Sequence, residues 1–300
     1  MFKNLIAYRL KSNVTEVQLI AALFTQQYNP CSSLELNSSG WVPPREYGQL
    51  VHKVNGQFLL KLMMEKRVLP GSVVKDALLE RCKEIEHQQG YAPGRKQVRE
   101  IKEQVIDELL PRAFSTKTAM NVWIDPINNW LVIDTPTTSK AELVIKLLLA
   151  SVDGLVLEGI RTKISPRSAM TNWLATDNEP YNFTIDQDGE LESGGSDHAV
   201  IKYIKSSLDG NTQVKQQIAE GKQCTKLALT WDSKISFILT EAGNIKKIAM
   251  LDVLKESHAE TNVGDSGERF DADFALVSGE LNQLLTDLIE ALGGGFVNEQ

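Results

Sequence analysis

The chain has 300 residues, 42% of them hydrophobic and 24% charged, with a formal net charge of −7. That balance excludes an intrinsically disordered protein and leaves ample chain to bury a core, as one large domain or two to three smaller ones. The apolar run in MFKNLIAYRLKSN is too short for a signal peptide, no uncharged run reaches bilayer length, and Cys31, Cys82 and Cys224 form no CxxC pair, so a cytoplasmic protein with free thiols, no structural zinc and no membrane span is expected.

In chain order, LIAYRL reads as a short strand, and residues 14–26 as an amphipathic helix starting near Asn13 or Thr15. Trp41-Val42-Pro43-Pro44 is an extended or turn segment, because each proline pushes its predecessor out of the helical region. Val54-Asn55-Gly56-Gln57 marks a turn before the strand FLLKLMM. A long helix, VVKDALLERCKEIEHQQ, follows with Ser72 as the expected N-cap. Gly90 to Gly94 is a break, and a second polar helix spans 96–110 and stops at Pro111. NVWID and WLVID predict a hairpin, and 139–150 a helix. KLALTW and ISFILT predict a second hairpin around Asp232-Ser233-Lys234. Between the hairpins, residues 176–222 are more polar, with glycine breaks at Gly194-Gly195 and Gly210, and read as a separate projecting subdomain. Residues 1–175 and 223–300 form the remaining strand-helix regions. A helix over 276–292 closes at Gly293-Gly294-Gly295.

Net acidity argues against nucleic acid, but its distribution is uneven. Residues 198–247 carry eight lysines against four acids, while the last fifty residues carry two basic groups against eleven acids. Such polarity suits a molecule with one face toward phosphate and another toward solvent; solvated helix faces are the plainer explanation. Lys75 and Arg81 on the first long helix, Arg95 and Lys96 at the start of the second, and Arg112 and Lys117 around the PRAF segment are the candidate cations there, with helix-surface ion pairs as the alternative. Phe114 lies on what reads as an apolar loop after a helix-stopping proline, a position suited to an interface anchor.

Catalytic signals are sparse. There is no GxSxG elbow, Walker loop or GxGxxG, and His52, His87, His198 and His258 sit in no recognisable motif, so no nucleotide cofactor is expected. A metal-dependent nuclease using Asp125, Asp134, Asp271 or Asp273 is the alternative from another class. Against it, Asp125 and Asp134 fall at strand ends beside turns, and Asp271 and Asp273 read as lying just ahead of the last helix, where acids favour the helix N-terminus.

FKNLIAYRL (2–10), GWVPP (40–44), VNGQ (54–57), LLPRAFS (109–115), WID (123–125), AEGK (219–222), TKLALTW (225–231), RFDADF (269–274) and LIEALGG (288–294) occur in order. Together they resemble the RdgC family of recombination-associated proteins over essentially the whole chain. The resemblance implies an α/β (α+β) horseshoe of three subdomains built from hairpins and flanking helices. Two such subunits would form a ring-shaped homodimer around double-stranded DNA, associated with the nucleoid, antagonising RecA and lacking catalytic activity. It implies an interface at Phe114 with Leu110 and Pro111, and DNA contacts at Lys205 with Lys202 nearby. Two departures stand out: Ser206 where the family has another polar residue, and Gly90, Pro93 and Gly94 within its lysine-rich helix, which would displace Arg95 and Lys96.

Overall fold

The computed structural model describes residues 2–46, 48–194, 198–251 and 266–295. Gly195 of the expected glycine break, together with Lys255 and His258, lies outside them. The chain is mixed α/β with antiparallel sheets, as expected, and divides into two units. One comprises Met1–Leu19, Val51–Leu59 and Asn121–Gln300; the other comprises Ile20–Leu50 and Leu60–Met120. Among the described residues, no helix is long and apolar enough to cross a membrane.

In the first unit, β1 (Ile6–Leu10) pairs antiparallel with β6 (Trp130–Ile133) and with β7 (Leu157–Gly159), Tyr8 lying opposite Leu131 and Gly159. β6 also pairs with the end of β5 (Phe114–Asp125), from Val122 opposite Ile133 to Asp125 opposite Trp130. β3 (His52–Val54) and the start of β4 (Gln57–Val68) form a hairpin across Asn55-Gly56, both at positive φ, as a two-residue turn of this hand requires. The second sheet has the order β12 (Ile245–Met250), β11 (Ile235–Thr240), β10 (Lys222–Trp231), β8 (Phe183–Ser193) and β9 (Val200–Tyr203). The predicted hairpins are both present; β3, β12 and β9 carry no strong alternation in the sequence and were not anticipated. Residues 176–222 run through β8, β9 and α6 (Thr212–Ala219), and β8 pairs along β10 inside this unit.

The unit's core gathers Trp123, Trp130, Trp231, Phe237 and Phe274 with the apolar stripe of the last helix, here α7 (Ser266–Ala291). Buried indoles need partners for their N–H groups. Trp130 Nε1 donates to Asn282 at 2.9 Å and Trp231 Nε1 to Asp287 at 2.8 Å, fixing α7 by polar as well as apolar contacts. This helix starts ten residues before the expected position, so Asp271 and Asp273 lie within it rather than ahead of it. After it, the amides of Gly293 and Gly294 bond back to Glu290 and Ile289, both glycines at positive φ, the expected C-terminal stop. The unit also contains α4 (Thr138–Ser151) and α5 (Pro166–Thr176).

In the second unit, β2 (Asn37–Val42) pairs with β4, Trp41 opposite Leu62. A Cβ on Gly40 would stand 2.4 Å from the Tyr28 Cα, so only glycine lets these backbones meet. α2 (Gly71–Gln89) and α3 (Arg95–Leu109) flank the predicted break and close on Val74, Ile101 and Val105. Ser72 is not the N-cap of α2: the helix begins at Gly71 after Pro70, whose fixed φ already suits the position, and no side chain caps it. Helix α1 (Glu16–Thr25), whose first residues belong to the first unit, begins as expected after Thr15, whose hydroxyl and amide exchange bonds with Gln18 in a capping box.

Candidate nucleic-acid interface

The six expected cations of the second unit are all exposed, but they are not equivalent. Arg81 spans two helices: its guanidinium meets Glu108 at 3.0 Å and Glu84 at 3.2 Å, so its charge is committed to holding α2 against α3. Here the ion-pair alternative holds. Lys117 stands 5.5 Å from the face of Tyr28. Lys75 and Arg112 point outward from α2 and from the turn Leu110–Arg112. Arg95 and Lys96 open α3, which has no acid in its first turn and no side-chain cap. Cations there add to the positive end of the helix dipole and to unpaired amide donors, an arrangement unfavourable in isolation and relieved by an anion.

Phe114 is not on a loop. The segment Leu110–Arg112 is a turn of 3-10 helix and Phe114 is the first residue of β5, 88% exposed. Pro111 is exposed too, whereas Leu110 is buried within its own unit. The aromatic is held from behind by residues that the sequence did not single out. Arg67 on β4 donates through Nη1 to the carbonyls of Leu110 at 3.0 Å and Ala113 at 3.3 Å, and through Nη2 to Ser32 at 3.0 Å. Glu65, two residues earlier on the same strand and buried, accepts from the Tyr28 hydroxyl, the Cys31 amide and the Ser115 side chain. Those donors hold its carboxyl down at about 2, the Ser115 bond contributing most. A charged pair at alternate positions of an apolar strand, MEKR, was the available signal.

In the first unit, Lys202 on β9 lies 3.7 Å from Glu190, which also takes Lys226 of β10 at 2.8 Å; two lysines thus share one carboxylate and a positive excess is left. Lys205 follows β9 at φ 52, a backbone conformation uncommon for a side-chain-bearing residue, fixed by its amide's bond to Asp188 at 2.9 Å. Beside it an open cleft of about 430 Å³ is lined by Asp186, Asp188 and Lys247 as well as Lys205. Lys226 and Lys247 entered the sequence reading only as part of a segment's charge, because their positions depend on strand pairing.

The acids of the nuclease alternative are occupied or turned apart. Asp125 is fully buried and accepts from the amides of Ile127 and Asn128, the Asn128 side chain and Gln57. Asp134 accepts from the amides of Lys3 and Asn4, burial pushing its carboxyl upward while these bonds pull it down. Asp271 meets His52 at 2.8 Å. Asp273 is two residues further along the same helix, where a rotation of roughly 200° sends it to the opposite side. Among the described residues no three His, Cys, Asp or Glu side chains are grouped so as to hold a metal. Cys224, with burial pushing its thiol up to about 12, is an inert core group.

These features define a class: a mixed α/β chain built on antiparallel sheets, with cations exposed at helix and strand ends and acids engaged in backbone turns. The profile of a family described as "Putative exonuclease, RdgC" matches residues 1–295. The chain is 50% identical over 295 residues, 98% of both chains, to the Recombination-associated protein RdgC of Janthinobacterium sp. (strain Marseille). It shows the same identity and coverage to that of Herminiimonas arsenicoxydans, and 48% identity, again over 98% of both, to that of Bordetella pertussis. The chain belongs to the RdgC family.

Proposed function

We propose that this protein binds double-stranded DNA without reading its sequence, as a ring-shaped homodimer that modulates recombination by antagonising RecA-mediated strand exchange. The observation that carries the reading is its 50% identity, over 98% of both chains, to a protein named as recombination-associated. Exposed Lys75, Arg95, Lys96 and Arg112 support it from the second unit, and Lys202 and Lys205 from the first. Such groups can follow phosphates with no base contact, and the resulting affinity falls as salt rises. Topological enclosure would allow moderate attraction to suffice, and the acidic C-terminal segment would keep the outside of a ring from adhering to DNA.

A homodimer is supported by the second unit, which carries the 88% exposed Phe114 and, separately, an apolar groove lined by Ile20, Phe24, Trp41, Pro43 and Leu50. An exposed aromatic and an apolar groove on one unit give two copies the means to form a self-complementary contact. Action in the cytoplasm at the nucleoid, without catalysis, completes the reading. The family description contains the word exonuclease, which favours the second reading, a metal-dependent nuclease. The engaged oxygens of Asp125 and Asp134 weigh against it. Retention of linear and closed circular duplex in a mobility-shift titration, with light scattering for the mass, tests the proposal. Incubating supercoiled plasmid with magnesium or manganese tests the second reading, since only a nuclease nicks it.

A further inference from the structure

At the end of β1 the first unit holds a basic feature apart from the cations above. The Arg9 guanidinium stacks over the Trp130 ring, 3.6 Å from its centroid, and donates Nη1 to the Asn128 carbonyl at 3.2 Å. Trp130 is itself buried and tethered through Asn282, so the stacking surface is rigid. One face and one edge of the guanidinium are therefore fixed, and the fork retains further N–H donors. Burial pushes Arg9 below its ordinary range, and Glu158 on β7 is its partner in the strand pairing.

Arg9 opens on a shallow cleft of about 520 Å³ lined by Leu10, Lys11, Ser12, Asn13 and Asn129, with no carboxylate in the lining. Ser12 Oγ accepts from the Val156 amide at 3.0 Å, leaving its own proton to donate. Lys11 is exposed, with Glu158 3.4 Å from its ammonium. That acid lines an adjoining cleft to which Arg9, Lys11 and Arg161 all contribute, three cations against one carboxylate. One cleft wall thus combines a pre-oriented planar cation, a mobile cation, a hydroxyl and two exposed amide side chains. Donors of this kind, in excess over the single acid Glu158, match a phosphate group.

We propose that this cleft is a phosphate-binding subsite that takes a phosphodiester of duplex DNA, Arg9 gripping two of its oxygens and Lys11 supplying a second charge. The subsite rests on the DNA-binding reading above and adds a contact beyond Lys202 and Lys205. An arginine that served packing alone would leave the ionic component of binding untouched.

The test uses the full chain, with anisotropy titrations of two unrelated duplexes over a salt series. Arg9→Lys keeps the charge but loses the fork, and Lys11→Gln changes an exposed side chain that cannot upset the core. Each is expected to weaken both duplexes several-fold, and Lys11→Gln to make the log-affinity against log-salt slope shallower by about 1. Wild-type affinity and slope in both variants, while Lys202→Glu with Lys205→Glu still weakens binding, would overturn the subsite and leave the DNA reading standing. Absence of duplex binding by the wild-type chain would overturn both. A second arm adds inorganic pyrophosphate as competitor: it should displace duplex less readily from Arg9→Lys than from wild type. Pyrophosphate binding that depends on Arg9, with duplex affinity equal in all variants, would assign the cleft to free phosphate compounds and overturn the duplex assignment.

Discussion

Arg67 donates to the carbonyl of Leu110 at 3.0 Å, and with its second bond to Ala113 it spans the turn that ends where Phe114 begins. The Leu110 carbonyl already accepts the Ala113 amide at 3.1 Å, closing the 3-10 turn, and the Arg67 Nη1 group ties that carbonyl to the Ala113 carbonyl. Phe114, the most exposed aromatic among the described residues of the second unit, is therefore presented by a rigid support.

Replacing that support should separate presentation from chemistry. Arg67→Met keeps the aliphatic stem but removes the side-chain donors to Leu110, Ala113 and Ser32, and should cost about 2 kcal/mol in urea unfolding. The dimer fraction by light scattering should fall with Phe114 still in place. A variant that loses stability yet dimerises like wild type would show that the clamp serves the fold alone.

Phe114→Ser should do the converse. At 88% exposure the ring contributes little to its own chain, so the unfolding midpoint should move by less than about 0.5 kcal/mol. Dimerisation and duplex affinity should both drop. Unchanged mass and affinity would sink the interface role of Phe114.

The strand ends also show what the sequence could and could not reveal. Short apolar runs rich in β-branched and aromatic residues made NVWID, WLVID, KLALTW and ISFILT legible, and Asn-Gly marked a hairpin, because these signals are local. HKV is only three residues long and IKKIAM sets two lysines side by side, so neither gave a comparable signal. The same holds for the surface. That Arg95 and Lys96 open an uncapped helix was readable, since glycine and proline precede them. That Arg81 is spent on Glu108 was not, because its partner is 27 residues away across a helix pair. Arg9 looked like an ordinary strand residue until the pairing of β1 with β6 set it against Trp130.

Asp125→Ala should be costly for a structural reason. It leaves two backbone amides and two side-chain donors around a buried turn without their acceptor, and about 3 kcal/mol of stability should go. Plasmid incubated with magnesium should look the same with either protein. Nicking by the wild type that disappears in a folded Asp125→Asn variant would instead restore the nuclease reading.

Glu65 gives a pH signature. Its carboxyl is held at about 2 against an ordinary 4.5, so the folded state favours the ionised form. Stability from this group is fully present above the unfolded value and is lost as pH falls from about 4.5 toward about 2. The melting temperature of the wild type should therefore fall more steeply through that window than that of Glu65→Gln. Parallel curves would contradict the account of Glu65.

Thiol labelling should rank the cysteines by burial. Cys31 and Cys82 are partly accessible, and Cys224, its thiol pushed up to about 12, is enclosed. An aromatic disulfide reagent should titrate Cys224 only after denaturant is added. Three equivalents reacting at once in the native protein would contradict its place in the core.

The central claim is sequence-independent attraction to duplex phosphate, and its most direct measurement is the affinity for two unrelated duplexes of equal length across a salt series. The account predicts matching affinities, a linear fall of log affinity with log salt, and a shallower line for Lys202→Glu with Lys205→Glu on both duplexes. Marked preference for one duplex, or an affinity indifferent to salt and to those two lysines, would contradict it.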